Sequence, residues 1–246
     1  MPINPYLHEH PEFSDLIRIV ADERRILPLL VEKDYWIMHC LYGLNSLGWQ
    51  FQLKGGTSLS KGFGVIERFS EDIDIRIDEE IAGFKVFCGK NQDKEAHVAS
   101  RRDFFDWVAE NVEVPGVVSV DRDYNFDTEK MRSGGVRLQY QSHFTSIPAL
   151  KTGILFELGF DKTGPSEPCL ISSWAYDRAQ EVKVALADNR ALEVECYHPG
   201  FTLVEKLQAV STKFRQQQDR GNVPENFIRH YYDKIISRIG QDISRL

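Results

Sequence analysis

The sequence lacks the features expected of a secreted, membrane-inserted or zinc-binding protein. Its four cysteines are scattered without paired C-x-x-C spacing, which predicts reduced, buried thiols and no zinc site. The N-terminus has neither the basic nor the apolar segment of a secretion signal, and apolar runs such as 26–31 are far shorter than a membrane span. We therefore expect a cytoplasmic protein that does not enter the membrane.

An excess of positive charge is also absent. The chain carries 30 Lys and Arg against 37 Asp and Glu, a net charge of −7, so no overall field attracts nucleic acid. Any contact with RNA would need a local patch. The basic residues between Lys206 and Arg238 are a candidate, although a solvated helix face is the simpler interpretation of most of them.

Two common nucleotide-binding loops, GxxxxGK[ST] and GxGxxG, are missing, but another glycine-rich turn is present at Gly55-Gly56. Residues 51–54 have the pattern of a short strand, and residues 57–61 that of the first turn of a helix. A turn that leads into a helix N-terminus leaves backbone N–H groups free to bind an anion. We predict that this backbone, with the hydroxyls of Thr57 and Ser58, binds phosphate groups.

Polar and apolar residues alternate over 72–77, which predicts a half-buried strand. Asp72 and Asp74 then leave the same face with their Cα atoms about 7 Å apart. Two such carboxylates could bind one hard cation or a metal pair. A solvated strand face without function is the alternative, but the closeness of the glycine turn favours a phosphate-handling site.

A third carboxylate, Glu157, lies inside the apolar run 153–160. Burying a carboxylate without a partner is costly. We therefore predict that Glu157 either binds the metal or forms an ion pair with a nearby Arg or Lys.

These residues resemble the signature of the AbiEii/AbiGii toxin family of nucleotidyltransferases, within the DNA polymerase β-like superfamily. The resemblance spans most of the chain. The matching stretches, in family order, are the Glu-Lys-Asp-Tyr of 32–35, the glycine turn 55–59, the acidic stretch 68–74, Glu205-Lys206, and the Arg-x-x-x-Asp of 229–233.

The resemblance implies an α+β fold, in which a mixed β-sheet of the nucleotidyltransferase type is flanked by helices and followed by a C-terminal helical part. We accordingly expect a core over 1–196 that includes the N-terminal helices, with the helical segment 197–246 packed on it. Periodicity predicts the same order of elements. The predicted helices are 15–26, 29–47, 97–112, 201–217 and 224–240, and the predicted strands after residue 100 are 116–121, 136–141, 153–160 and 192–196.

The resemblance also implies roles for the site residues. Asp72, Asp74 and Glu157 would form the metal site, Lys206 would neutralise triphosphate charge, and Asp233 would orient a substrate or a helper side chain. The simpler alternatives are a solvated lysine on an amphipathic helix and an aspartate that caps or pairs.

Arg68, directly before the acidic strand, is a further candidate phosphate ligand. A salt bridge to Glu67 or Glu71 is the alternative interpretation, and the sequence does not separate the two.

By resemblance, the chain is a Mg²⁺-dependent nucleotidyltransferase that transfers a nucleoside monophosphate from a nucleoside triphosphate (NTP) to an acceptor such as tRNA or another RNA. It would act as a toxin with a cognate antitoxin. Two alternatives stay open: a nucleotidyltransferase with a small-molecule or protein acceptor, and a nucleotide-binding module without catalysis.

Overall fold

The computed structural model of the protein describes residues 4–67, 69–77, 80–81, 84–148, 150–160 and 164–220. Its strands are β1 (Phe51–Lys54), β2 (Ile73–Ile77), β3 (Glu80–Ile81), β4 (Phe84–Lys85), β5 (Val117–Asp123), β6 (Ser133–Tyr140), β7 (Ile154–Gly159), β8 (Ser166–Ile171) and β9 (Ala191–Tyr197). Its helices are α1 (Phe13–Arg24), α2 (Pro28–Ser46), the single turn α3 (Gly55–Thr57), α4 (Glu95–Asn111), α5 (Trp174–Glu181) and α6 (Pro199–Arg220).

Seven strands form one mixed sheet in the order β5-β6-β7-β2-β1-β9-β8, and β3 and β4 form a separate hairpin. At the centre, β1 runs antiparallel to β2, and β2 runs parallel to β7. Helices flank this sheet, so the predicted α+β class is confirmed. The strands predicted from the sequence are present; β1 has the predicted ends, and the ends of the others differ by at most three residues.

One face of the sheet is the hydrophobic core. Ile73, Ile75 and Ile77 of β2 are all buried on this face, as the alternating pattern predicted. Helix α4 packs against the same face. A Cβ atom on Gly134 of β6 would lie 2.6 Å from the ring of Phe105, so this glycine permits the close approach of helix to sheet. The opposite face is left for Asp74 and Arg76.

Helix α2 is the central helix of the core. Pro28 begins it, as predicted, because a proline at the first helical position needs no backbone N–H. Every residue from Val31 to Leu41 is buried, including three charged ones. A helix buried on all sides requires each of those charges to have a partner.

The short hairpin strands β3 and β4, strand β8 and helix α5 escaped sequence-based prediction. Strand β8 contains Pro168, which lowers strand propensity, but β8 is the edge strand, where a missing N–H is tolerated. Helix α5 has only eight residues, too few for periodicity to identify it. Its N-cap is Ser173, whose hydroxyl accepts a hydrogen bond from the backbone N–H of Tyr176.

The late helix α6 extends to Arg220, beyond its predicted end at 217. The second predicted late helix, 224–240, lies outside the described residues, and the division of the chain at 196/197 stays a prediction. None of the helices in the described ranges has the length and apolar character needed to span a bilayer.

Candidate active site

One row of residues crosses the sheet on the face opposite the core. Strand register pairs Asp74 of β2 with Lys54 of β1 on one side and with Glu157 of β7 on the other. Neighbouring strands lie about 4.8 Å apart, so the two carboxylates are direct neighbours. The structure therefore brings together Asp74 of the acidic strand and the third carboxylate, Glu157, which lie far apart in the sequence.

Burial and the neighbouring carboxylates raise the affinity of Asp74 for protons. The pKa of Asp74 rises from its ordinary value to about 7, first because the group is buried, and then because the charges of Glu157 and Asp72 act on it. The positive charges of Lys206 and Lys54 oppose this rise only in part. Because the negative charges around Asp74 outweigh the positive ones, the site attracts an additional cation.

The raised pKa of Asp74 should affect the stability of the metal-free protein. Its pKa is near 3.9 in the unfolded chain, so the folded protein gains stability from the extra proton at low pH and loses that stability as the pH rises through about 7. An Asp74→Asn variant carries no such charge. Its melting temperature relative to wild type should increase from pH 5 to pH 8 by roughly 2–6 °C, after allowance for solvent screening.

Differential scanning fluorimetry in a metal-free buffer series measures this difference. Asp103→Asn makes the same chemical change at an exposed position of α4 and is the matched control. A constant offset between Asp74→Asn and wild type across the pH series would contradict the raised pKa.

Asp72 lies directly before β2 and is held there by its backbone. The hydroxyl of Thr57 donates a hydrogen bond to the carbonyl of Asp72 at 2.7 Å. Burial raises the pKa of the Asp72 carboxyl, and the charge of Glu71 raises it further. Its Oδ1 atom is buried and has no hydrogen-bond partner among the described residues. A buried carboxylate oxygen in this state is suited to accept a cation.

The glycine turn lies against the Asp74 carboxylate. Gly55 has φ of +68°, a left-handed conformation, and a Cβ atom there would lie 1.7 Å from Oδ2 of Asp74. Only glycine satisfies both conditions. The helical backbone begins at Gly55 itself, two residues earlier than predicted, and continues as a π-helical turn over Ser58–Gly62.

The hydroxyls of Thr57 and Ser58 are buried and bonded to the fold. Thr57 donates to the carbonyl of Asp72, and Ser58 donates to the carbonyl of Tyr197 at 3.2 Å. They therefore fix the glycine turn between β2 and β9. Their predicted contact with phosphate stays a prediction, and the backbone of the turn is the part nearest the acidic row.

Helix α6 borders the same site. Lys206 lines both cavities that reach Asp74 and Glu157, one of about 280 Å³ and one of about 530 Å³. The preceding residue, Glu205, accepts a hydrogen bond from the Tyr197 hydroxyl at 3.0 Å, which connects the helix to β9. Lys206 thus lies beside the acidic row, and its role in neutralising triphosphate charge stays a prediction.

The larger cavity has ten lining residues, among which are both glycines of the turn and all three predicted metal ligands. They are Gly55, Gly56, Phe69, Ser70, Glu71, Asp72, Asp74, Leu150, Glu157 and Lys206. Arg68 and Asp233, the two remaining predicted site residues, lie outside the described residues.

Lys33 of α2 is a supporting residue that the sequence identified only by resemblance. It is 2% exposed, and its ammonium donates to Glu71 at 2.7 Å and to the carbonyl of Lys151 at 2.6 Å. Burial lowers the pKa of Lys33, and the ion pair with Glu71 opposes that effect. Since Glu71 precedes Asp72, this contact fixes the start of the acidic strand.

The neighbouring charges of α2 also act as braces. Asp34 forms an ion pair with the ammonium of Lys61, which lies at the end of the glycine turn. Asp34 also accepts a hydrogen bond from the backbone N–H of Trp174 at 2.9 Å. Glu32 accepts one from the N–H of His143 at 2.8 Å. Three consecutive charges inside an otherwise apolar helix are the sequence signal that could have identified this role.

The residues of the site fit a magnesium ion in part. Within the described ranges, no three acidic, histidine or cysteine side chains converge closely enough to enclose an ion completely. Mg²⁺ does not need such an enclosure, because proteins usually hold it by one or two carboxylates together with substrate phosphates and water. The Asp74–Glu157 pair and the unpartnered Oδ1 of Asp72 meet that requirement.

The site combines paired carboxylates on adjacent strands with a glycine turn and two lysines. The transfer of a phosphorylated group requires cations around the phosphates, which the lysines and a carboxylate-bound metal ion can supply. The fold and the site thus define an enzyme of nucleotide transfer. The chain belongs to the AbiEii nucleotidyltransferase family: the family described as "Nucleotidyl transferase AbiEii toxin, Type IV TA system" matches residues 39–235. The predicted family and enzyme class are confirmed.

Solved structures add a fold comparison. Seven chains match, and one is the crystal structure of an antigenic nucleotidyltransferase-like protein from Paracoccidioides brasiliensis. It is 13% identical, with 84% of this chain and 75% of that chain covered and a TM-score of 0.43, a similarity too low to support an argument about function. No curated protein matches the chain.

Proposed function

We propose that the protein transfers a nucleoside monophosphate from an NTP to a hydroxyl of an RNA acceptor, such as tRNA, with Mg²⁺ as cofactor, and that this reaction is its toxic activity. The observation that carries the proposal is the register of Asp74 with Glu157, together with the pKa of Asp74 of about 7. Without a cation, the repulsion between carboxylates held this close destabilises the folded protein. Membership of the AbiEii family supports the nucleotide substrate.

Asp72, Asp74 and Glu157 are the residues that would hold Mg²⁺. When bound, the ion supplies positive charge to the α-phosphate and to the leaving pyrophosphate. Glu157, at the β7 side of the row, would also help to bring the acceptor hydroxyl into line with the α-phosphate.

The triphosphate would lie on the β1 side of Asp74. Lys54 and Lys206 supply positive charge there, and the backbone of Gly55-Gly56 would bind the terminal phosphates. Lys206 would neutralise charge on the leaving pyrophosphate. Arg68 as a further phosphate ligand and Asp233 as an orienting residue remain predictions.

Metal binding can be measured without any turnover. Mg²⁺ that binds only the folded protein stabilises it, by about 1.4 kcal/mol at a concentration ten times its Kd. We expect the melting temperature of wild type to rise with MgCl₂, and the rise to be lost in Glu157→Gln. Asp103→Asn should respond like wild type, and an equal response in Glu157→Gln would remove Glu157 from the metal site.

The transferase activity is tested by incubating the pure protein with Mg²⁺, total RNA and each α-labelled NTP in turn, and resolving the products on a gel. Label on a discrete RNA, absent with a chelator and in Asp74→Asn, would establish the reaction and name the nucleotide. Label on the protein alone would support a protein acceptor, and label on neither would favour a small acceptor or a nucleotide-binding module.

The family description implies an antitoxin partner. Growth arrest on induction of wild type but not of Asp74→Asn would connect the reaction to toxicity. A neighbouring reading frame whose co-expression restores growth would identify the antitoxin.

A further inference from the structure

The row of residues that contains the acidic centre continues across the sheet beyond Glu157. Register pairs Glu157 with Gly135 of β6, and Gly135 with Asp123 of β5. Directly paired residues of neighbouring strands share a face. The surface over β6 and β5 is therefore continuous with the acidic centre, on the side away from Lys54.

Gly135 leaves space on this surface for an aromatic ring. A Cβ atom there would lie 2.7 Å from the carbonyl of Asp123 and 3.0 Å from Cβ of Phe126. Phe126 belongs to the short 3-10 turn Tyr124–Phe126 that follows β5, and Phe126 lines an open cavity on this surface. The ring of Tyr124 in the same turn lies instead against the guanidinium of Arg122. Phe126 is therefore the aromatic residue that this surface offers to a ligand.

Lys151 contacts both the Phe126 ring and the residue that precedes the acidic centre. Its backbone N–H donates to Glu71, the residue before Asp72, at 2.7 Å. Its ammonium lies 4.3 Å from the centre of the Phe126 ring. Among the described residues, no carboxylate forms an ion pair with this ammonium, so it is available to an external anion.

The other cations near Asp72 are already paired. Lys33 is bound to Glu71, and Arg137 is bound to Asp123 at 2.6 Å. The two ends of the acidic centre therefore differ: Lys54 and Lys206 act on Asp74, whereas Lys33, Arg137 and Lys151 act on Asp72. Of the second set, Lys151 is the cation that a ligand can use.

An open cavity of about 600 Å³ joins these groups. Its lining residues are Asp123, Asn125, Phe126, Arg137, Lys151 and Thr152, which together we name the Lys151 groove. Leu150, the neighbour of Lys151, lines the cavity of the acidic centre. A ligand in the groove could therefore reach the acidic centre by passing over residues 150 and 151.

In a nucleotidyl transfer, the attacking and leaving oxygens lie roughly in line across the phosphorus. With the triphosphate on the β1 side, the acceptor must approach from the β7 and β6 side, where the Lys151 groove lies. A cation that binds a backbone phosphate, beside an aromatic ring on which a base can stack, is the usual combination in proteins that bind single-stranded nucleic acid.

We propose that the Lys151 groove binds the last nucleotides of a single-stranded RNA acceptor, with a phosphodiester on the Lys151 ammonium and a base against the ring of Phe126. The role of the groove in positioning the acceptor for transfer rests on the proposed function. RNA binding in the groove does not depend on it. The net charge of −7 is no obstacle, because the interaction is local and involves few phosphates.

Fluorescence anisotropy of a labelled single-stranded oligoribonucleotide, with the full chain and without NTP or Mg²⁺, tests the groove over a series of salt concentrations. Lys151→Gln should weaken binding and reduce the slope of log K against log salt by about 0.7, the value for one phosphate contact on a single strand. Lys151→Arg should preserve both. Phe126→Leu should weaken binding roughly fivefold or more without changing the slope, because it removes the stacking surface and keeps the charge of Lys151.

The matched control is Lys183→Gln, which removes the same charge from an exposed position in the turn after α5. The proposal is overturned if Lys151→Gln and Lys183→Gln give the same affinity and slope, or if wild type fails to bind the oligonucleotide at low salt. Label transfer to RNA that is indifferent to Lys151 would keep the proposed function and reject the groove. Binding through Lys151 without any label transfer would keep the groove and reject the function.

Discussion

Asp74→Asn should abolish nucleotide transfer while making the metal-free protein more stable at pH 8. The amide keeps the volume of the carboxylate but loses the charge that would hold Mg²⁺. Metal assistance contributes several kcal/mol to such reactions, so the expected loss in rate is on the order of 10³-fold or more. Stability moves in the opposite direction because the amide avoids burial of a charge and no longer repels Glu157 and Asp72.

Opposite changes in activity and stability distinguish this result from simple unfolding. Transfer of an α-labelled NTP and the melting temperature are measured on the same preparation, beside Asp103→Asn. That control should match wild type in both measurements. Retained transfer in Asp74→Asn would reject the assignment of Asp74 as a metal ligand.

The strands of the site were predictable because each carries a local pattern. The alternation over 72–77 predicted both the buried face of β2 and the common face of its carboxylates, and the apolar run 153–160 predicted β7. The pairing of these strands was not predictable in this way, because it joins residues far apart in the chain, Asp74 and Glu157. Resemblance to the family predicted that Glu157 joins the two aspartates, and the structure shows the strand pairing that places Glu157 beside Asp74.

The supporting contacts could not be predicted from local pattern. Lys33 reaches Glu71 and the backbone of Lys151, which are distant in sequence, and a lysine on a helix is usually solvated. The conformation of Gly55 was equally hidden. A glycine pair before a helix predicts a turn, but not that the Asp74 carboxylate occupies the space of its missing side chain.

This close contact makes Gly55→Ala the most damaging small substitution that we expect outside the acidic residues. An alanine Cβ would lie 1.7 Å from Oδ2 of Asp74, so either the glycine turn or the carboxylate must move. A displacement of about 1 Å in a catalytic group can reduce the rate on the order of 10²-fold. The left-handed φ of +68° adds a cost of roughly 1–2 kcal/mol to the stability of the fold.

Gly48→Ala separates the backbone cost from the contact with the carboxylate. Gly48 has a similar φ of +73°, and a Cβ atom there would meet nothing within 4 Å. Gly48→Ala should therefore lose only the backbone cost in thermal or urea unfolding, and Gly55→Ala should lose more because of its contact with Asp74. Only Gly55→Ala should lose transfer activity and the Mg²⁺-dependent rise in melting temperature. If the two variants retained equal activity, Asp74 would not lie against the turn in the working enzyme. A specific loss in Gly55→Ala would show that the glycine is needed to leave room for the metal-binding carboxylate, in addition to any phosphate that the backbone of the turn binds.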